Sequence, residues 1–96
     1  MPTWYTENMQ ELCKAILSLQ NEEECRAFLE DVCTIKEIQD LSQRFQVAGM
    51  LSRGISYSTI CKETGASTAT ISRVSRAYEY GAGGYKLVIG RMKEEA

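Results

Sequence analysis

Residues 56–80 read SYSTICKETGASTATISRVSRAYEY, and this stretch decides the fold. It predicts two short helices, Tyr57 to about Thr64 and Thr68 to about Tyr80, each preceded by a serine of the kind that caps helix N-termini. Gly65, between them, adopts at little cost the left-handed backbone conformation that a sharp turn demands. The stretch therefore indicates two helices that meet at a tight turn.

Small and apolar residues occupy the positions where these two helices would cross, namely Ile60, Cys61, Ala66, Ile71 and Val74. A helix-turn-helix needs such residues around its turn, although an ordinary antiparallel helix pair needs them too. Only a DNA-reading helix-turn-helix calls for the run Ser-Thr-Ala-Thr at residues 67–70, at the start of the second helix. Short side chains there let the N-terminal end of that helix approach the edges of the bases. The pattern favours a helix-turn-helix that reads the major groove of DNA.

The second predicted helix has two faces. Ile71, Val74 and Tyr78 recur at helical spacing and should be buried. The opposite face holds arginines and hydroxyls that can bind bases or phosphates, and methyl groups that can meet thymine. Polar residues of the preceding helix can anchor the DNA backbone, and either arginine could be the one that reads a base. The candidate DNA-binding residues are Ser56, Ser58, Lys62, Ser67, Thr68, Ala69, Thr70, Ser72, Arg73 and Arg76.

Charge is divided unevenly along the chain, whose net charge is -2. Residues 1–40 carry nine acids and three bases, whereas residues 41–96 carry eight bases and four acids. The basic half is the one that contains the predicted helix-turn-helix, as binding to a polyanion requires. The acidic half is expected to face away from DNA.

Three further helices are predicted in residues 6–54. Thr6 and Asn21 are N-cap residues in front of apolar residues at helical spacing, which predicts helices to about Gln20 and Cys33. A capping box at residues 34–37 opens a third helix that closes at Arg53-Gly54. Its apolar surface is wider than one stripe, with Ile38, Leu41, Phe45, Val47, Ala48, Met50 and Leu51. Such a helix needs partners on more than one side, which predicts self-association.

The length of 96 residues suits one all-helical domain, because a chain of this size forms a single core. Glycines interrupt the pattern at residues 81–84, and we expect the remainder, 81–96, to be a glycine joint and a partly disordered tail. Within it, the run Tyr85 to Ile89 has the only period-two alternation in the sequence.

Composition excludes several classes of protein. The four cysteines form no Cys-x-x-Cys pair and there is no histidine, so we interpret them as buried, reduced thiols and expect no metal site. No apolar run is long enough to cross a membrane and no signal peptide is recognisable, which predicts a cytoplasmic protein with no membrane partner. Paired catalytic carboxylates and a phosphate-binding glycine loop are missing too, so we expect no enzyme.

Two functions remain open at this point. One is a DNA-binding regulator of transcription. The other is a protein-interaction adaptor that keeps the helix-turn-helix shape without specific DNA binding. Affinity for duplex DNA that falls steeply with salt would distinguish them, because only phosphate contacts release counterions.

Three blocks of the sequence resemble the tryptophan repressor superfamily, and in particular its small TrpR-related members of the YerC/YecD type. They are GASTATISR at 65–73, TIKEIQDLSQR at 34–44 and LSRG at 51–54. The resemblance implies an intertwined homodimer in which the N-terminal helices of both subunits form a shared core flanked by two helix-turn-helix heads. It also implies a repressor with a pseudo-palindromic operator, whose half-sites lie roughly 34 Å apart as in helix-turn-helix dimers in general, the Trp repressor among them.

The resemblance also implies an effector pocket. Arg44 and Arg73 match the two arginines that hold the carboxylate and indole of tryptophan in ligand-binding members, and Thr70 matches a pocket threonine. Thr34 completes the candidate pocket, which could serve an unknown small-molecule effector. Val74 stands where the pocket needs a glycine, however, and Ala77 replaces a serine that binds the ligand's amino group. An unpaired buried amine costs about 1–3 kcal/mol, so we expect no tryptophan corepressor and no cofactor.

Overall fold

The computed structural model describes residues 2–95, and within that range every element of regular secondary structure is an α-helix. This confirms the predicted all-α class. The chain divides into two compact units, Met1–Ile38 and Gln39–Ala96. Along the described residues the helices are α1 Glu7–Leu17, α2 Glu22–Val32, α3 Ile35–Ser52, α4 Tyr57–Thr64, α5 Thr68–Tyr80 and α6 Gly84–Glu95.

The first two helices begin where their caps predict. The Thr6 hydroxyl accepts from the backbone N–H of Met9 at 3.2 Å, and the Asn21 side chain accepts from that of Glu24 at 2.9 Å. α1 ends three residues before the predicted Gln20, because Ser18 donates through Oγ to the Ala15 carbonyl at 2.6 Å and tightens the last turn. Neither α1 nor α2 buries a single residue in the isolated chain.

The capping box that opens α3 forms in both directions. The backbone N–H of Thr34 donates to the Glu37 carboxylate at 2.8 Å, and that of Glu37 donates to the Thr34 hydroxyl at 3.1 Å. At the other end Gly54 has φ +74 and lets the chain leave the helix, with Ile55 N–H bonded to the Met50 carbonyl at 3.2 Å. The predicted bounds of this helix are therefore correct to within about a residue.

The core of the second unit is built from α3 to α6. Four of the five residues predicted at the helix crossing are buried in it, and Cys61 is half-buried against it. On α3 the buried residues are Val47, Ala48 and Met50, in the C-terminal half of the helix, whereas Leu41 is exposed. The core consists of Val47, Ala48, Met50, Ile60, Ala66, Ile71, Val74 and Ile89.

Two expectations from the sequence are corrected. The cysteines are free thiols but none is buried, because three of them lie in the first unit, where α1 and α2 bury nothing within the chain. Residues 84–95 form α6, not a disordered tail or a strand, and Ala96 lies outside the described residues. Gly83, with φ +89, turns the chain so that Ile89 enters the core.

Among the described helices, none is long and apolar enough to cross a membrane. Within the same part of the chain, no three cysteine or carboxylate side chains are grouped so that they could hold a metal ion.

Candidate nucleic-acid interface

The turn between α4 and α5 has the geometry that its sequence predicts. Gly65 has φ +73, in the left-handed region, and its N–H closes α4 on the Cys61 carbonyl at 3.0 Å. Ser56 caps α4 by accepting from Thr59 N–H at 3.3 Å, and Ser67 caps α5 by accepting from Thr70 N–H at 3.1 Å. These bonds fix where each helix starts and hence the phase of its exposed face.

Three hydrogen bonds around Thr64, which the sequence did not predict, hold this turn in place. The Thr64 hydroxyl donates to the Ile60 carbonyl at 2.7 Å and accepts from the backbone N–H of Ala66 at 3.1 Å. From α3, Gln43 donates through its amide nitrogen to the Thr64 carbonyl at 3.3 Å. The turn is thereby attached to α3 as well as to the apolar core, which limits its freedom to move.

α5 is divided into a buried and an exposed face, as its spacing predicts. Ile71 and Val74 are 0% and 1% exposed, and Tyr78 is half-buried against the same core. Of the candidate DNA-binding residues, Thr70 is half-buried and all the others are exposed: Ser56, Ser58, Lys62, Ser67, Thr68, Ala69, Ser72, Arg73 and Arg76. Nine of the ten candidate residues are therefore accessible to DNA in the isolated chain.

Hydroxyl groups at the two caps bond to one another. Ser56 donates through Oγ to Thr59 Oγ1 at 3.0 Å and lies 3.3 Å from the Ser58 hydroxyl. Ser67 donates to Thr70 Oγ1 at 3.1 Å. Thr59 was not among the predicted site residues, although it stands three residues after a cap just as Thr70 does. The Ser-x-x-Thr spacing was the signal that could have identified it.

The cationic side chains of this surface form no ion pair with any of the described residues. In the range that the structure describes, no carboxylate lies within 4.0 Å of Lys62, Arg73 or Arg76. Ion pairs such as Lys14–Glu11 and Arg26–Glu30 occur in the first unit instead. Binding a phosphate therefore requires none of these three side chains to give up an existing ion pair.

The candidate effector residues are not all in one unit. Arg44, Thr70 and Arg73 belong to the second unit and Thr34 to the first. Arg44 is half-buried, and the Thr70 hydroxyl already accepts from Ser67. A groove of about 490 Å³ lies along the joint between α5 and α6, but its lining is almost wholly apolar and contains neither arginine: Phe45, Ala77, Gly81, Ala82, Gly84, Tyr85 and Val88.

Two further residues bear on the expectation that tryptophan is not a corepressor. The Val74 side chain fills its own place in the core, where the resemblance calls for a glycine that leaves room for the indole. Ala77 is exposed and offers only a methyl group where the ligand's ammonium needs an oxygen acceptor.

The fold and this surface define a class, the helix-turn-helix DNA-binding proteins, because a short capped helix is followed by a turn and a second helix with exposed hydroxyls and unpaired arginines. The family model described as Trp repressor protein matches residues 7–93. The chain belongs to the Trp repressor family, which consists of DNA-binding regulators and not of enzymes.

Individual relatives agree with this assignment. YerC of Bacillus subtilis (strain 168), a protein of uncharacterised function, is 52% identical over 86 residues, which is 90% of this chain and 83% of YerC. A crystal structure of a candidate Trp repressor from Staphylococcus aureus has a TM-score of 0.88 at 51% identity, over 92% of this chain and 88% of that one. A TrpR-like protein from Eubacterium eligens ATCC 27750 also has a TM-score of 0.88, at 52% identity over 92% and 91% of the two chains.

Proposed function

We propose that this chain is a sequence-specific repressor of transcription that binds a pseudo-palindromic operator as a homodimer. One observation carries the proposal. α5 exposes Arg73 and Arg76 without carboxylate partners, on the side of the helix opposite the buried Ile71 and Val74. Membership of a family of DNA-binding regulators supports the same conclusion.

The first turn of α5 is the part that enters the major groove. Thr68 and Ala69 are exposed there, and their methyl groups suit contact with thymine. Arg73 lies one turn further along, where its fork of donors can pair with guanine O6 and N7 or with a phosphate. Ser58 and Lys62, exposed on α4, are placed to bind the DNA backbone, as the first helix of such a motif does.

Dimer formation is supported by apolar surface that the single chain leaves open. Leu17 on α1 is 83% exposed, and Val32 on α2 and Ile35 on α3 are more than half exposed. Within the first unit, Cys25, Leu29, Ile35 and Ile38 line a groove of about 420 Å³. Exposed apolar side chains and an apolar groove mark an interaction surface, and a second copy of this chain would cover them. Two α5 helices would then read half-sites about one DNA turn, roughly 34 Å, apart.

The repressor acts without tryptophan in this proposal. The burial of Val74 and the methyl group of Ala77 support that view, because α5 is held by the core without a ligand. Any effector of this chain belongs to a different chemical class.

The test is selection from a pool of random DNA duplexes by the purified protein. We expect enrichment of a two-fold symmetric site, with affinity that falls steeply as salt rises. The variant Arg73→Ala with Arg76→Ala is expected to lose the enrichment. If both side chains contact phosphates, the slope of log affinity against log salt decreases by about 2 for each bound half-site, since each phosphate contact contributes about 0.9.

A matched control removes the same number of positive charges from α6. Arg91→Ala with Lys93→Ala is expected to bind the selected site as the unmodified protein does, because both residues are exposed and lie outside the helix-turn-helix and the first unit. If no site is enriched and binding is insensitive to salt, the repressor proposal is wrong and the chain is a protein-interaction adaptor.

A further inference from the structure

Tyr80, the last residue of α5, extends the exposed face that carries the two arginines. It lies four residues after Arg76 and seven after Arg73, so the three side chains project from the same side of the helix. Its side chain is 87% exposed and is not among the described residues that pack against the core, in contrast to Tyr78 on the opposite face, which does. Tyr80 therefore adds nothing to the described apolar core.

The position of Tyr80 is nevertheless fixed. Gly81 donates its N–H to the Ala77 carbonyl at 2.9 Å and closes the helix directly after Tyr80. A Cβ at Gly81 would overlap the backbone carbonyl oxygen of Ala77, so only glycine allows the chain to turn this closely. α6 then brings Ile89 into the core, and Lys86 places its amine 5.3 Å from the centre of the Tyr78 ring. The last turn of α5 is thus held from both sides.

The length of α5 decides which part of DNA Tyr80 can meet. Tyr80 lies twelve positions after Thr68, which corresponds to about 18 Å along the helix axis. The major groove is only about 8.5 Å deep. If α5 enters the groove end-on, with its first turn at the base edges and its axis along the depth of the groove, Tyr80 lies outside the groove, at the level of the phosphates that border it.

We propose that Tyr80 is a further DNA-contacting residue whose phenolic O–H donates to a backbone phosphate at the edge of the groove. This inference rests on the proposed function and adds one residue to it. Tyrosine is among the side chains that bind DNA phosphates, and a hydrogen bond from a hydroxyl to an anionic oxygen is stronger than a neutral one. Glu79, the acid that precedes Tyr80, projects about 100° away around the helix, so it does not face the same phosphate.

The variant Tyr80→Phe tests the hydroxyl alone. Its affinity for the selected duplex is expected to fall roughly 10- to 150-fold, the loss of one hydrogen bond to a charged group. The loss should be equal for the best site and for sites with altered bases, because a phosphate contact carries no sequence information. The salt slope should not change, since tyrosine is neutral. Tyr78→Phe is the matched control on the buried face of the same helix and is expected to bind normally.

Three results overturn the inference while leaving the proposed function intact, provided that the unmodified protein binds its selected site. They are normal binding by Tyr80→Phe, a loss seen only with Tyr80→Ala, which assigns the ring to packing, and a loss that depends on the base sequence, which assigns a base contact. If the unmodified protein binds no duplex at all, the proposed function fails and this inference fails with it.

Discussion

Ser67 and Thr70 are joined by two hydrogen bonds at the start of α5: Ser67 Oγ accepts from the Thr70 backbone N–H and donates to Thr70 Oγ1, both at 3.1 Å. Ser56 and Thr59 are joined in the same way at the start of α4. Both helices of the motif therefore begin with a Ser-x-x-Thr cap that ties a side chain to the backbone. The cap sets the start of the helix that is proposed to enter the groove.

Replacing Ser67 by alanine is expected to lower the free energy of unfolding by about 1 kcal/mol, because α5 loses the acceptor for one of its first N–H groups. Urea denaturation at a fixed protein concentration measures the change, since the stability of a dimer depends on concentration. Ser67→Asp is the comparison, because aspartate caps a helix as well as serine does. It should keep the stability but weaken DNA binding by placing a negative charge near phosphates. Equal stability of Ser67→Ala and the unmodified protein would contradict the role of the cap.

Replacing Gly65 by alanine is expected to cost about 1–2 kcal/mol of stability, the penalty of a left-handed conformation for a residue with a Cβ. A Cβ at this position meets no atom within 4 Å, so the cost is conformational and not steric. Gly49→Ala is the matched control, because Gly49 lies inside α3 and its Cβ would only touch the Arg53 guanidinium at 3.8 Å. That variant should gain about 0.5–1 kcal/mol. Thermal unfolding should therefore show a lower melting temperature for Gly65→Ala and a higher one for Gly49→Ala. If Gly49→Ala is destabilised as well, the loss in Gly65→Ala cannot be assigned to the left-handed conformation.

The helix-turn-helix was predictable because its signals are local. Serine caps, a glycine turn and apolar residues at helical spacing all act within a few residues, and they place Ile71 and Val74 in the core correctly. α6 was not predicted, because glycines surround it and Tyr85 to Ile89 also alternates with period two. Its helical form depends on burying Ile89 against distant residues, and such tertiary packing overrides local preference.

The candidate site was predictable to a similar degree. The positions of the buried residues along α5 determine which of its residues lie on the opposite, exposed face. The bond from Gln43 to Thr64 joins residues that are 21 positions apart, and no local pattern indicates such a contact. Tyr80 was missed because an exposed tyrosine next to glycines is typical of any helix end. Its alignment with Arg73 and Arg76 becomes informative only when α5 is known to continue unbroken to residue 80.

Placing a charge on α1 is expected to dissociate the proposed dimer. Ile16 is half-exposed in the isolated chain, and covering it with a second copy would make Ile16→Glu bury a carboxylate without a partner. Analytical ultracentrifugation should show a monomer, or a dimer only at a much higher protein concentration. Asn8→Glu, an exposed position on the same helix, is the control and should remain dimeric. A dimeric Ile16→Glu, or a monomeric unmodified protein, would show that this face is not the interface.

Tryptophan is expected to have no effect on DNA binding. A corepressor changes affinity for DNA only if it binds the DNA-competent form more tightly, and couplings of this kind typically amount to about 5–150-fold. Val74 is buried in the core and Ala77 lacks an acceptor, so titration calorimetry with tryptophan should show no binding heat, and the affinity for the selected duplex should be the same with and without it.

The double variant Val74→Gly with Ala77→Ser shows whether Val74 and Ala77 are the residues that prevent tryptophan from binding. It restores the glycine and the serine that the family resemblance calls for, and it is expected to be less stable, because removing a buried valine leaves a cavity. If it gains heat on titration with tryptophan, Val74 and Ala77 are the obstacles. Tryptophan binding by the unmodified protein would contradict the proposal, since it would require the core around Val74 to open for an indole ring.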